Sequence, residues 1–441
     1  MIQTIDLRGI QPTGERFRAL LPRPVVDVSV ALKAATELID DVRANGADAL
    51  RSQAERFDGV SPEHLRVPAE SIERAVAELA PEMREALEEA IRRVRLATAA
   101  QVPPEVVTEI GAGASVVQRW QPVARAGLYV PGGKAAYPSS VIMNAVPAQV
   151  AGVASLALAS PAQKEFGGGV HPSVLGAAGL LGIDEVYAIG GAGAIGALAW
   201  GVAEIGLEPV QMITGPGNIY VAAAKRVVRG TAGIDAEAGT TEILVIADES
   251  ANAAFVAADL VSQAEHDEAA ASILVTDSPA LAERVQAAAA ERAASTRHAD
   301  RVRAALSGQQ SAIVLVDDMS AAAAFSNAYG PEHLEIQTRE PAAQLEQIVN
   351  AGAIFLGPHS PVSLGDYIAG SNHVLPTGGQ ARFTPGLGAY SFLRPQQIIR
   401  YDAAALAEVA ARIVTLSHAE GLPAHGEAVT ARFERGHAPL G

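Results

Sequence analysis

The sequence predicts a soluble α/β protein built from two parallel-sheet lobes, with a small N-terminal segment and a helical C-terminal tail. Three observations lead there. The chain has 441 residues, more than one hydrophobic core normally serves, so two or more lobes are needed. Hydrophobic residues make up 49% and aromatics only 4%, which suits helices packed closely on sheets better than an aromatic-rich β-sandwich. From about residue 125, short apolar runs alternate with glycine punctuation and helical stretches, the pattern of repeated βαβ units.

The opening stretch, MIQTIDLRGIQPTGERFRALLPRP, carries charges throughout and has no apolar core of the kind a secretory signal needs, so a cytoplasmic location is expected. Residues 71–100 read as a helix opening on a Ser71 cap, with an apolar stripe between charged faces. Strands are predicted at AGLYV, VASLALA, EVYAI, VQMI, EILVIAD, ASILVTD, SAIVLVD and GAIFLG. Residues 135–163 are free of charge over a length that can span a membrane. Pro138, Pro147, Pro161 and many small residues predict instead a buried helix followed by a buried strand. The alternation falls into two runs, roughly 128–238 and 239–385. From about 386 a tail carries two helices, DAAALAEVAARIVTLS and HGEAVTARFER, too few to enclose a core.

Composition excludes several functions. A net charge of −16 without a dense basic run argues against nucleic-acid binding, and no segment argues for a membrane. With no cysteine the chain has no disulfide, no thiolate metal ligand and no thiol nucleophile, which fits a reducing compartment.

Three glycine clusters follow predicted strands. In YAIGGAGAIGALAWG, Gly191, Gly193 and Gly196 spell G-x-G-x-x-G, but no acid follows at the distance a ribose contact needs, and close helix-to-sheet packing explains the glycines equally well. In LYVPGGKAAYPSS, Gly132 and Gly133 sit beside Lys134 and the ring of Tyr129. In TGPGNIYVAAAKR, Gly217 and Asn218 stand at a helix start. Each alone reads as a turn; together, at the ends of successive βα units, they predict one nucleotide cleft.

Two polar constellations remain. In LVSQAEHDEAA, Gln263 and His266 are three positions apart on one helical face, a pattern shared by metal sites and ordinary solvated helices. In AYGPEHLEI, Glu332 and His333 lie between a helix stopped by Gly330 and Pro331 and a strand, where both can enter a cleft or pack as structural residues.

The strings YVPGGKAAYPSSVIMNAVPA, TGPGNIYVAAAK, DLVSQAEHD, AYGPEHLEI, SLGDY, GSNHVLPT and HAEGLPAHGEAV, in this order from about residue 30 to 430, resemble the histidinol dehydrogenase family. The resemblance implies two Rossmann-like lobes: residues 27–127 plus 239–385 with the metal and catalytic residues, and 128–238 for NAD, after an N-terminal segment 1–26 and before a dimer-swapped tail 386–441. It implies oxidation of L-histidinol to L-histidine through L-histidinaldehyde, the last two steps of histidine biosynthesis. One Zn²⁺ per subunit is implied at Gln263, His266, Asp366 and His425, a nitrogen and oxygen set that Mn²⁺ or Co²⁺ also suits. His333 is implied as the general base and Glu332 as the activator of water. Substrate contacts fall to Thr241, Gln263, His266, His333, Asp366, His373, Glu420 and His425, and NAD contacts to Tyr129, Gly193 and Asn218. The implied assembly is a homodimer whose active sites are shared between subunits.

Thr241 stands where many relatives of that family carry Ser, keeping the hydroxyl. Gly193 stands where they usually carry Gln, which removes a side-chain contact to the cofactor. Without cysteine, an aldehyde cannot be oxidised as a thiohemiacetal, so its hydrate must serve and a side chain must activate water. The runner-up expectation is a paralogue oxidising another primary alcohol, such as a sulfonated diol, to its acid. Other readings are a zinc hydrolase and an inactive zinc- and nucleotide-binding scaffold; retention of His373 and Glu420 favours histidinol.

Overall fold

The computed structural model describes residues 2–10, 20–23, 28–132, 136–237 and 239–434, and these divide into two units. The first comprises residues Met1–Val102 and Val123–Phe392, the second Pro103–Pro122 and Leu393–Gly441.

The first unit opens with β1 (Gln3–Asp6) and the helices α1 (Val28–Asp58), α2 (Ala69–Ala77) and α3 (Pro81–Ala99). The stretch expected to be one helix over 71–100 is two, because Pro81 lacks an N–H and pushes Ala80 out of helical geometry, so a new helix starts there. Ser71 is no cap; it lies inside α2, whose N-cap is Pro68. The hairpin β2 (Val106–Gly111) and β3 (Ala114–Pro122) belongs to the second unit.

The chain then runs β4 (Arg125–Tyr129), α4 (Pro138–Ala151), β5 (Ser155–Ser160), α5 (Pro172–Leu180), β6 (Val186–Ala188), α6 (Gly191–Trp200), β7 (Met212–Thr214), α7 (Ile219–Val228) and β8 (Gly233–Ile234). The strands form a parallel sheet in the order β6-β5-β4-β7-β8. The charge-free stretch is the predicted buried helix and strand, α4 and β5. Among the described residues no helix is long and apolar enough to cross a membrane.

Next come β9 (Glu242–Ala247), α8 (Ala253–Ala264), β10 (Ala271–Thr276), α9 (Pro279–Ser295), α10 (Ala299–Ser307), β11 (Ala312–Leu315), α11 (Met319–Tyr329), β12 (His333–Gln337), α12 (Pro341–Leu345), β13 (Ala353–Leu356) and α13 (Val362–Tyr367). Their sheet is also parallel, ordered β1-β11-β10-β9-β12-β13. Every residue of β9, β10, β11 and β12 is buried, as continuous apolar strands covered on both faces require.

The N-terminal residues are distributed differently from the expectation. Residues 3–6 supply an edge strand to the second sheet rather than a separate segment. Helix α1 packs on α6 and α7, and Ala31, Ala35, Ile39, Val42 and Leu50 join the core of the 125–234 lobe, not that of the 239–385 run.

In the second unit, β14 (Leu393–Tyr401) pairs antiparallel with β3, giving a three-stranded sheet β14-β3-β2. It is followed by α14 (Ala403–Ala419) and α15 (Pro423–Thr430), the two helices expected of the tail. Asp402 caps α14 through its side chain. Ile399, Leu416 and Leu422 remain exposed.

Candidate functional site

Apart from the edge strand β1, the sheet starts in the sequence at β9; β10 and β11 extend one side and β12 and β13 the other, so the direction of winding reverses between β9 and β12. These strands are parallel neighbours with His333 beside Ile243, which puts Thr241 and Glu332 together at their amino ends. Helix α11 delivers Glu332: its C-terminus is closed by Gly330 at φ 61, a left-handed conformation that glycine adopts without cost, and Pro331 blocks continuation.

Thr241 Oγ1 donates to Glu332 Oε2 at 2.6 Å and accepts from Gln263 Nε2 at 2.6 Å. The Glu242 backbone N–H also donates to Glu332 Oε2, at 2.9 Å. With its N–H side engaged, the Gln263 amide leaves Oε1 buried and without a hydrogen-bond partner.

His333 Nδ1 lies 3.1 Å from the Glu242 carbonyl oxygen, which only accepts, so the proton is assigned to Nδ1. Nε2 is then an acceptor, and it too is buried without a partner. Glu332 Oε2 approaches His333 Nδ1 at 3.5 Å. Burial pushes the Glu332 carboxyl well above its ordinary range and the His333 imidazole below its own, so burial works against the charged form of each.

His266 follows the end of α8, and Asp366 lies in α13. Burial lowers the pKa of His266, His333 and His373, and the Asp366 carboxylate partly opposes it for all three. The His266 side chain is exposed to solvent. His373 Nδ1 donates to the Asp366 carbonyl at 2.9 Å, and its Nε2 faces Ser140 Oγ at 3.1 Å. The structure thus gathers Thr241, Gln263, His266, Glu332, His333, Asp366 and His373 around one centre. Glu420 and His425 lie in the second unit, at the C-cap of α14 and in α15, both exposed.

Among the described residues no three His, Asp or Glu side chains form a metal-binding group by themselves. At this centre the first unit offers the side chains of His266 and Asp366 and the unpartnered amide oxygen Gln263 Oε1. Such a donor set fits a borderline divalent cation that takes its remaining ligands from elsewhere.

In the other sheet the winding reverses between β4 and β7. The loops leaving their carboxyl ends, 130–132 and 215–218, border the crevice where sheets of this kind bind nucleotides. Gly133 and Lys134 lie outside the described residues. Tyr129 is buried at the end of β4 with its hydroxyl accepting from the Gly191 N–H at 3.1 Å. Asn218 is exposed and caps α7, accepting from the N–H groups of Tyr220 and Val221. Lys225, 2% exposed, donates to Asp235 and to the Gly215 carbonyl, each at 2.5 Å, while Asp235 accepts the Gly215 N–H at 2.8 Å.

Gly193 is placed differently from the expectation. A Cβ there would fall 2.1 Å from Gln53 Oε1 of α1, and one on Gly196 would fall 3.1 Å from Ile39. The second and third glycines of the G-x-G-x-x-G string therefore serve close packing of α6 on α1, the plainer of the two readings, and position 193 faces a helix rather than the crevice.

Sequence reasoning missed Ser140, the Lys225–Asp235 pair and Glu242. Glu242 is buried, bonded to Arg23 at 3.0 Å and to the Tyr329 hydroxyl at 3.1 Å. A charge opening an otherwise apolar strand was its signal.

A family model described as histidinol dehydrogenase matches residues 21–433. A histidinol dehydrogenase of Leifsonia xyli subsp. xyli is 75% identical over 433 residues, covering 98% of this chain and 99% of its own. One from Thermobifida fusca is 56% identical over 435 residues, covering 99% and 98%. The crystal structure of histidinol dehydrogenase from Elizabethkingia anophelis superimposes with a TM-score of 0.91 at 32% identity, covering 98% of each chain.

Proposed function

Because the chain belongs to the histidinol dehydrogenase family, oxidoreductases of histidine biosynthesis, we propose that it oxidises L-histidinol to L-histidine through L-histidinaldehyde, using two NAD⁺ and one water. The observation that carries the chemistry is the linked trio Gln263–Thr241–Glu332 beside a His333 whose Nε2 is buried and unpartnered.

When bound, NAD⁺ accepts hydride and Zn²⁺ anchors the substrate and polarises its reacting oxygen. Gln263, His266 and Asp366 would hold the metal with His425 of the partner subunit. Tyr129 and Asn218 border the crevice that would take the cofactor.

His333 is built to receive protons. Its Nδ1–H is spent on the Glu242 carbonyl, which fixes the ring, and Nε2 takes the hydroxyl proton of the alcohol as its C–H bond breaks. Burial keeps the imidazole neutral and ready for this. In the second stage Glu332 takes a proton from water as the oxygen adds to the aldehyde carbon. A carboxyl held high by burial is a stronger base than an exposed one, and a cation beside Asp366 favours its ionised form. Nε2 of His333 then accepts the proton of the hydrate as its C–H bond breaks, leaving the carboxylate. Thr241 keeps Glu332 and Gln263 in one orientation, and His373 and the partner's Glu420 recognise the substrate. The proposed enzyme is a cytoplasmic homodimer. Formation of NADH from L-histidinol is the experiment that tests the reading.

A further inference from the structure

A second carboxyl cluster lies one layer behind the site. Glu335 is 1% exposed in β12, two residues beyond His333 and therefore on the same face of the strand. Asp259 lies in α8, one helical turn before Gln263. The two carboxyl groups meet at one amide, Gln337, and burial raises the pKa of both, that of Glu335 well above its ordinary range. Gln337 Nε2 donates to both, at 3.2 Å to Asp259 Oδ2 and 2.8 Å to Glu335 Oε2. The remaining oxygen, Glu335 Oε1, accepts the backbone N–H of Val362 at 3.0 Å. Val362 opens α13, and Asp366 stands one turn further on.

Glu335 and Gln337 of β12 thus tie three separate elements, and each carries one member of the site: α8 with Gln263, β12 with His333, and α13 with Asp366. Nothing in the reaction described above uses Asp259, Glu335 or Gln337. Burying two acids together is unfavourable unless they share a proton and their other lone pairs are satisfied. Here the bonds to Asp259 and from Val362 cross between the elements that must stay in register. We propose that the Asp259–Glu335 acid pair is a positioning device that holds Gln263, His333 and Asp366 at their working separations, an inference that rests on the reading of these three as site residues.

The test compares zinc-loaded wild type with Glu335→Gln and Glu335→Leu, following metal loss to a chelator alongside kcat and the far-ultraviolet circular dichroism. Gln can donate to Asp259 and accept from Val362, so it should release zinc within about twofold of the wild-type rate, whereas Leu should release it about tenfold faster or more and lose kcat in parallel, with helical content unchanged. A folded Glu335→Leu enzyme with wild-type metal retention and kcat overturns the proposal, as does a Gln variant no better than Leu. Should Glu335→Leu fail to fold, Asp259→Ala, which cuts only the tie between α8 and β12, is read by the same criteria. A wild-type enzyme active without metal defeats the metal reading and not the pair, which is then judged on whether Glu335→Leu lowers kcat while Glu335→Gln restores it.

Discussion

The Thr241 hydroxyl lies 2.6 Å from Glu332 Oε2 and receives the Gln263 amide on its other side, so one hydroxyl orients both the carboxyl proposed to activate water and the amide proposed to face the metal. Thr241→Ser keeps both bonds and should keep activity within about threefold, whereas Thr241→Val should lower kcat and zinc affinity by about 10- to 100-fold, the range seen when a ligand's orienting partner is lost. Activity assays and chelator competition measure the two effects. A Val variant that loses neither would show that the hydroxyl orients nothing of consequence.

In the proposed mechanism the dyad divides the two oxidations. Glu332→Gln should slow turnover of supplied histidinaldehyde by about 100-fold or more, within the range of general-base contributions, while sparing the first hydride transfer from histidinol. His333→Asn should depress both.

Because burial lowers the His333 pKa, the base stays unprotonated to a lower pH than an exposed imidazole. The acid limb of kcat/KM for histidinol should therefore fall below about pH 6.5, the ordinary imidazole value, and vanish in His333→Asn. A limb at or above that value would contradict the assignment.

Gly193 packs against a buried glutamine, which gives a sign-reversing test. In the wild-type background, Gly193→Ala must displace Gln53 from its bond to the Leu38 carbonyl, costing about 1–3 kcal/mol against a helix-propensity gain of about 1 kcal/mol. It should destabilise there and stabilise in a Gln53→Ala background. Denaturant unfolding of the four proteins in this cycle reads both signs.

Much of the fold was legible because most of its parallel strands are largely buried and read as short apolar runs; all eight predicted runs fall on strands. Strands β2, β3 and β14 were not, because polar residues and Pro395 interrupt them and because β14 pairs with β3 across most of the chain. The first four-residue strand, QTID, is too short and too polar to announce itself. Nor does sequence say which end of a sheet is used: the predicted nucleotide crevice is at carboxyl ends, while Thr241, Glu332 and His333 sit at amino ends. Gln263 and His266 were visible by their spacing on one helical face and Glu332 and His333 by their place in a loop between helix and strand, and in both cases the residues alone left a structural role open. The groups they bond to, Thr241 for Gln263 and the Glu242 carbonyl for His333, come from other segments of the sequence, as does Ser140 beside His373, so these pairings exist only in the folded chain.

The exposed apolar residues of the second unit and the presence of Glu420 and His425 there bear on assembly. If His425 is contributed across a dimer, His266→Asn and His425→Asn chains, each inactive alone, should regain about a quarter of wild-type activity after subunit exchange. In half the dimers one site then collects both lesions and the other none. A mixture that exchanges subunits and stays inactive would place His425 in its own chain's site.

The proposed reaction is a four-electron oxidation of histidinol on one protein, and the amount of NADH formed per L-histidinol consumed with NAD⁺ in excess measures it most directly. Two NADH and one L-histidine per histidinol, abolished by His333→Asn, are the predicted result. No NADH, or a single NADH with aldehyde accumulating in solution, would contradict it.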